Sequence, residues 1–140
     1  MTDRPPLAEQ LDLRPHPEGG WYRRTWTSEQ PAADRGRQTA SAIYYLLGAG
    51  EESRWHRVGS DEVWLWHHGG PLDLYLGGTG EKPNGANPHV LLGNNFDLGH
   101  QPQIIVPGGT WQTARAGRAA CLVTCVVSPE FHFDDFELLG

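Results

Sequence analysis

Glycine occurs 18 times and proline 11 times in a chain of 140 residues, so a helix-breaking residue recurs every few positions. No long helix fits between such breaks, which excludes a helical bundle or coiled coil. What does fit is a series of short β-branched or aromatic runs bounded by turn residues, at 21–27, 41–47, 53–58, 62–67, 72–76, 89–92, 103–106, 110–115, 119–127 and 131–138. Ten strands at this spacing predict a sandwich or barrel. One short helix is expected over 5–13, where Leu7, Leu11 and Leu13 follow two prolines and Pro15 stops the run. The length suits one domain spanning 1–140. The polar, Gly/Pro-rich stretches 28–38 and 77–88 read as surface loops.

The runs AIYYLL and ACLVTCVV are apolar on both faces, so both faces need cover. An antiparallel barrel that encloses a pocket and packs its outside against another subunit provides it. Six tryptophans fit the same picture, each a large flat surface with one N–H to satisfy. Cys121 and Cys125 lie about 13 Å apart along a strand, beyond the roughly 7 Å a disulfide spans. Two buried free thiols in a reducing compartment are expected.

Net charge is −6 with scattered basic residues, so no surface for nucleic acid is expected. No basic stretch leads into an apolar run, and no apolar run approaches the roughly 18 residues that cross a bilayer. The expectation is a cytoplasmic protein with a small-molecule ligand and no membrane contact.

The segment 50–69, GEESRWHRVGSDEVWLWHHG, carries the chemistry. His56 and Glu62 fall on consecutive strands joined by a turn at Gly59 and Ser60, so a hairpin brings an imidazole and a carboxylate together. Strand alternation puts Arg54, His56 and Val58 on one face, and Glu62, Trp64, Trp66 and His68 on one face of the next strand. His67 and His68 read as rim or loop residues. The bland reading of the His56/Glu62 pair is a hydrogen bond that holds the hairpin. His16 and Glu18, in HPEGG, read as part of a tight turn at Gly19 and Gly20. Arg23 and Arg24 face opposite ways, so at most one reaches the interior. Asp134, Asp135 and Glu137 read as a solvated face, and His132 as a packing or capping residue.

The spacing Gly50-x5-His56-x-Val58-x3-Glu62-x6-Gly69 resembles the first cupin motif, Gx5HxHx3Ex6G, with Val58 where the second histidine belongs. Pro107-x-Gly109-x2-Gln112 resembles the PxGx2H core of the second motif, with Gln112 for its histidine and Ala116 for its asparagine; Gly99 stands two residues too early for the upstream glycine. The phrases HPEGGWYRRTW, SAIYYLL, WHRVGSDEVW, VPGGTWQTA and VSPEFHFDDFELL are similar to a small single-domain cupin branch long catalogued as a domain of unknown function. The resemblance implies an all-β, cupin-type antiparallel jelly-roll barrel like that of the RmlC sugar-nucleotide epimerases, and a homodimer.

In metal-binding cupins the motif histidines and glutamate hold a divalent metal. Carried over residue by residue, the ligands here are His56, Glu62 and the Gln112 amide oxygen, a weak set for a transition metal. No cofactor is required without it. The same pair then supports proton transfer, and the leading expectation is an epimerase or isomerase acting on a sugar-like or polar carbonyl compound with His56 and Glu62 as acid and base. Arg54, Trp64, Trp66 and Gln112 are expected to line the substrate site. Tyr44 or Tyr45 is expected to return the proton, whichever faces inward. The alternatives are a non-catalytic metabolite-binding barrel and a metal-dependent oxygenase or hydrolase with a reduced ligand set.

Overall fold

The computed structural model describes residues 4–33, 36–85 and 89–140. Positions 34, 35 and 86–88, within the two expected surface loops, lie outside the described residues. One helix, α1 (Pro6–Gln10), precedes strands β1 (Arg14–Pro15), β2 (Trp21–Thr27), β3 (Ser41–Leu47), β4 (Glu52–Val58), β5 (Asp61–Gly69), β6 (Leu72–Leu76), β7 (His89–Leu92), β8 (Gln103–Val106), β9 (Gln112–Ala116), β10 (Cys121–Ser128) and β11 (Phe136–Leu138). They form two antiparallel sheets, ordered β1-β2-β3-β10-β5-β8 and β11-β4-β9-β6-β7. No helix among the described residues is long and apolar enough to cross a membrane.

The helix is shorter than expected, and Pro15 does not end it. Asp12 takes a left-handed φ of 56°, Leu13 N–H bonds to Ala8 O at 2.7 Å and Asp12 N–H to Glu9 O at 3.2 Å. This Schellman turn ends the helix at Gln10, five residues before the proline. Ala8 and Leu13 then pack with Trp21 and Leu46, so the helix covers one end of the six-stranded sheet's outer face. Elsewhere on that face Ala42, Tyr44 and Val126 are half-buried and Ile105 is exposed.

The inner faces follow strict alternation where the ladder is regular. Along β10 Cys121, Val123, Cys125 and Val127 are buried and point into the sandwich, where Trp64, Leu74 and Ala114 meet them. Both cysteines are free thiols.

Two irregularities matter for the site. β4 and β5 are not hairpin partners: β4 pairs with β9 and β11, β5 with β8 and β10, and the chain crosses between sheets at Gly59 and Ser60. The turn therefore sets His56 and Glu62 on opposite walls rather than side by side. In β4 the register runs Ser53↔Ala114, then His56↔Gln112, three steps against two. That bulge reverses the alternation between Ser53 and His56.

The last expected strand is also broken. Its first half folds as a 3-10 turn, Phe133–Asp135, where Asp135 is gripped by Arg37 at 2.6 Å and Phe131 O by Arg24 at 2.6 Å.

Candidate active site

A cavity of ≈ 230 Å³ opens between the sheets, lined by His16, Glu18, Tyr22, Arg24, Ser41, Ile43, His56, Val58, Glu62, Cys125, Val127, Phe131 and Phe133. Apolar walls surround a small set of ionisable groups, the usual composition of a ligand site.

Local geometry brings these groups in. Gly19 and Gly20 have φ of 110° and 76°, and a Cβ on Gly19 would collide with the carbonyl oxygen of Glu52. The turn thereby lies flat on β4, and Glu18 O accepts the Arg54 N–H at 2.6 Å. Arg54 N–H has left the β4/β9 ladder for this bond, which accounts for the bulge. Its consequence is that Arg54, expected beside His56, projects outward. It is exposed and borders an outer groove with Glu52, Trp55 and Arg115.

Glu18 meets both histidines. Its Oε1 is 3.4 Å from His56 Nε2 and 3.4 Å from His16 Nδ1. The tautomers follow from the other bonds. His56 Nδ1 is 2.7 Å from Arg54 O, a pure acceptor, so Nδ1 carries the proton and Nε2 presents a lone pair to Glu18. His16 Nδ1 accepts the Glu18 backbone N–H at 3.1 Å, so its proton is on Nε2. The His56 ring also stacks on Phe136, with centroids 5.6 Å apart.

Burial disfavours the charged form of every group in this cluster. Desolvation lowers the His56 pKa to about 4, against a smaller opposing pull from its bond to Arg54 O. Desolvation, with help from His56, lowers His16 to about 3. Desolvation, reinforced by Glu62, raises Glu18 well above the usual carboxylate range. Although the spacing is that of an ion pair, a 3.4 Å contact does not offset the desolvation of two buried ions. Burial thus favours the protonated form of Glu18, opposed by hydrogen bonds from Tyr45 and Ser53, beside two neutral imidazoles.

Glu62, on the other sheet, is buried, and desolvation pushes it up to about 7, opposed by hydrogen bonds from Gln112 and Cys125. Gln112 Nε2 donates to Glu62 Oε1 at 2.8 Å, and Trp64 Nε1 donates to Gln112 Oε1 at 2.9 Å. Trp64 and Gln112 thus stand behind Glu62 and do not line the cavity. Trp66, expected on its wall, is half-buried against the core with its N–H on Gly69 O at 2.7 Å. It keeps the inner face, opposite Val123, but lies two residues further along β5 than Trp64, away from the cavity. Of the tyrosines, Tyr45 faces inward and Tyr44 outward, under the Arg23 guanidinium. Tyr45 already donates its hydroxyl to Gly19 O at 2.6 Å, so it secures the turn and does not border the cavity.

The donor set does not fit a divalent metal. Val58 offers an apolar wall where a ligand would stand, and Gln112 turns its oxygen to Trp64 and its N–H₂ to Glu62. Among the described residues no three His, Cys, Asp or Glu side chains are arranged to hold a metal ion.

Sequence reasoning placed His56 and Glu62 in one site but missed His16 and Glu18, assigned to a turn, and Arg24, Cys125, Phe131 and Phe133. The signal in HPEGG is two ionisable residues flanking a proline just before two glycines, since such a turn can lie flush on a strand and direct its side chains beneath it.

Two antiparallel sheets closed around a cavity floored with histidine and glutamate define a cupin jelly roll. The chain belongs to the cupin superfamily, matching over residues 6–139 the family described as Cupin superfamily (DUF985). It is similar to protein SO0799 from Shewanella oneidensis, with 38% identity over 100% of this chain and 86% of that one and a TM-score of 0.87. It also resembles a hypothetical protein from Leishmania major, with 31% identity over 94% of this chain and 84% of that one and a TM-score of 0.81. A cupin-like protein from Thermotoga maritima, at 15% identity, 92% and 80% coverage and TM-score 0.61, shares the fold. Among curated proteins no match was found.

Proposed function

We propose that the chain binds a small polar carbonyl compound, sugar-like in character, in this cavity and moves a proton at the carbon beside its carbonyl, as an epimerase or isomerase does. The observation that carries this reading is that Glu62 and the His56–Glu18 pair enter one enclosed cavity from opposite sheets. Epimerisation needs two proton-transfer groups on opposite sides of one carbon. Glu62, half-ionised near neutrality, is the base. Glu18 is the acid, giving its proton to the opposite face of the carbon from which Glu62 takes one; before that transfer the lone pair of His56 Nε2 accepts the Glu18 hydrogen bond and so positions the acid. His16 supplies its Nε2–H as a donor to the developing enolate oxygen. The apolar walls exclude water from these transfers.

The test is solvent exchange. A panel of aldoses, ketoses and keto acids incubated with the protein in D2O is read by proton NMR for loss of the α-C–H signal. Exchange that disappears in Glu62→Gln supports the reading. Saturable binding with no exchange for any ligand overturns it and leaves a non-catalytic metabolite-binding barrel. We also read the chain as a homodimer: the half-buried Tyr44 and Val126 and the exposed Ile105 lie on the outer face of one sheet, and light scattering reports the subunit count.

A further inference from the structure

Glu62 is held by a chain of side chains that starts well away from the cavity. Trp64 is 1% exposed and Gln112 1% exposed, and neither borders the ligand space. The indole nitrogen is a donor only, so its 2.9 Å bond to Gln112 Oε1 fixes which end of the amide faces which neighbour. The other end, Nε2, must then donate to Glu62 Oε1. Were the amide to flip, its oxygen would face the carboxylate, an arrangement that suits a protonated Glu62 and repels an ionised one. A flip also strands the indole N–H against another donor, at two fully buried side chains. The indole is itself located by Tyr45, whose ring meets it edge-on at 5.9 Å and whose hydroxyl holds Gly19 O.

We propose that Trp64 and Gln112 are positioning residues acting in series: the indole N–H locks the Gln112 amide, and the locked amide keeps a donor on Glu62 Oε1 that favours the ionised carboxylate. The other groups that face Glu62 do not replace this donor. The Cys125 thiol of β10 also hydrogen-bonds to Glu62, and Glu18 is a second acid in the same cavity. His56 is neutral, Val106 pairs with Glu62 from β8, and the β3 residues Ser41 and Ile43 bring no charge. The consequence for turnover rests on Glu62 being the base; the effect on its titration does not.

The experiment measures the titration midpoint of Glu62 by carbon NMR of carboxyl-labelled glutamate, with the resonance assigned by its absence in Glu62→Gln. Trp64→Phe removes the N–H, and site-specific replacement of Trp64 by benzothienylalanine removes it without changing ring shape, in case the phenylalanine variant does not fold. Gln112→Met removes the amide at similar length. Each is expected to raise the midpoint by roughly one pH unit, a tenfold loss of ionised carboxylate at a given pH. Combining benzothienylalanine at 64 with Gln112→Met is expected to shift it no further than Gln112→Met alone, since a series relay broken at its second link is indifferent to the first. Additive shifts, or a midpoint that moves with Gln112 but not with Trp64, overturn the relay. Where an exchanging substrate is in hand, the acidic limb of its pH–rate profile is expected to move with the midpoint. A moved midpoint without any exchange keeps the relay and rejects the enzyme.

Discussion

Glu18 Oε1 stands 3.4 Å from the bare Nε2 of His56, and no contact of this kind joins His56 to Glu62. The carboxyl that His56 shares a proton with therefore comes from the turn before β2. Glu62 is left to act from the opposite sheet.

This division predicts how the two glutamates differ. Glu18→Gln keeps the size and removes the proton that Glu18 and His56 share, while its amide can still donate to Nε2. Exchange is expected to fall 10²- to 10⁴-fold with ligand affinity changed by less than about fivefold, the ordinary contribution of a positioned acid. Exchange rates and calorimetric binding on the same preparation check it. An equal loss of binding and exchange means that Glu18 holds the ligand and transfers no proton.

The buried carboxyl at 62 also makes a stability prediction. Its pKa is about 7 folded and 4.5 as the reference for the unfolded chain. Between those values the native state holds a proton that the unfolded state lacks, so its contribution to stability falls as pH rises through this window. Above pH 7 the penalty is complete, on the order of 3 kcal/mol. Glu62→Gln removes it, so at pH 8 the variant is expected to melt at higher temperature than the wild type, by an amount reduced by the lost charge-assisted bond to Gln112. At pH 4.5 no such gain is expected. The histidines run the other way: His56 at about 4 and His16 at about 3 are neutral when folded and charged when unfolded below 6.5, so their contribution is lost as pH falls from 6.5 toward 3. Melting curves of both proteins across pH 3 to 9 resolve the two signs.

How much of this was legible in the sequence depends on whether a residue's place is set by its own strand or by a distant segment. Most strand limits, and the joint presence of His56 and Glu62, follow from alternation and motif spacing. Arg54 was misplaced because alternation assumes an unbroken ladder, and nothing in SRWH announces a bulge. The cause lies in the Glu18 carbonyl, which takes the Arg54 N–H from outside the sheet. Trp64 and Gln112, expected to line the ligand site, lie behind Glu62 instead, because a side chain behind an ionisable group and one in front of it have the same periodicity. Phe131 and Phe133 reach the cavity because Arg24 and Arg37 fold the last segment over its mouth, a contact that no local pattern encodes.

The outward position of Arg54 carries its own prediction. It is exposed, outside the cavity, and contributes to the site through its backbone, whose N–H and C=O bond Glu18 O and His56 Nδ1. Arg54→Ala leaves both bonds intact. Ligand affinity and exchange are expected to change less than twofold and stability by no more than about 0.5 kcal/mol, as for an ordinary surface substitution. A tenfold loss of affinity would return Arg54 to the ligand.

Gly19 is where fold and site are most tightly joined. Its φ of 110° is strained for any residue with a side chain, and an added methyl would meet the Glu52 carbonyl rather than a side chain able to move aside. Gly19→Ala must therefore lift the turn from β4. That lengthens the Glu18 O to Arg54 N–H bond, frees the Tyr45 hydroxyl and separates Glu18 from His56. A destabilisation of about 1–3 kcal/mol is expected, with loss of exchange even at temperatures where the variant stays folded. Glu62 lies on the other sheet and needs none of these contacts, and its pKa is set by burial, Gln112 and Cys125, so its titration midpoint is expected to stay where it is. Carbon NMR of the labelled glutamates checks this alongside thermal melting. A variant that melts early but keeps full exchange would mean that the turn supports the barrel without supplying its acid.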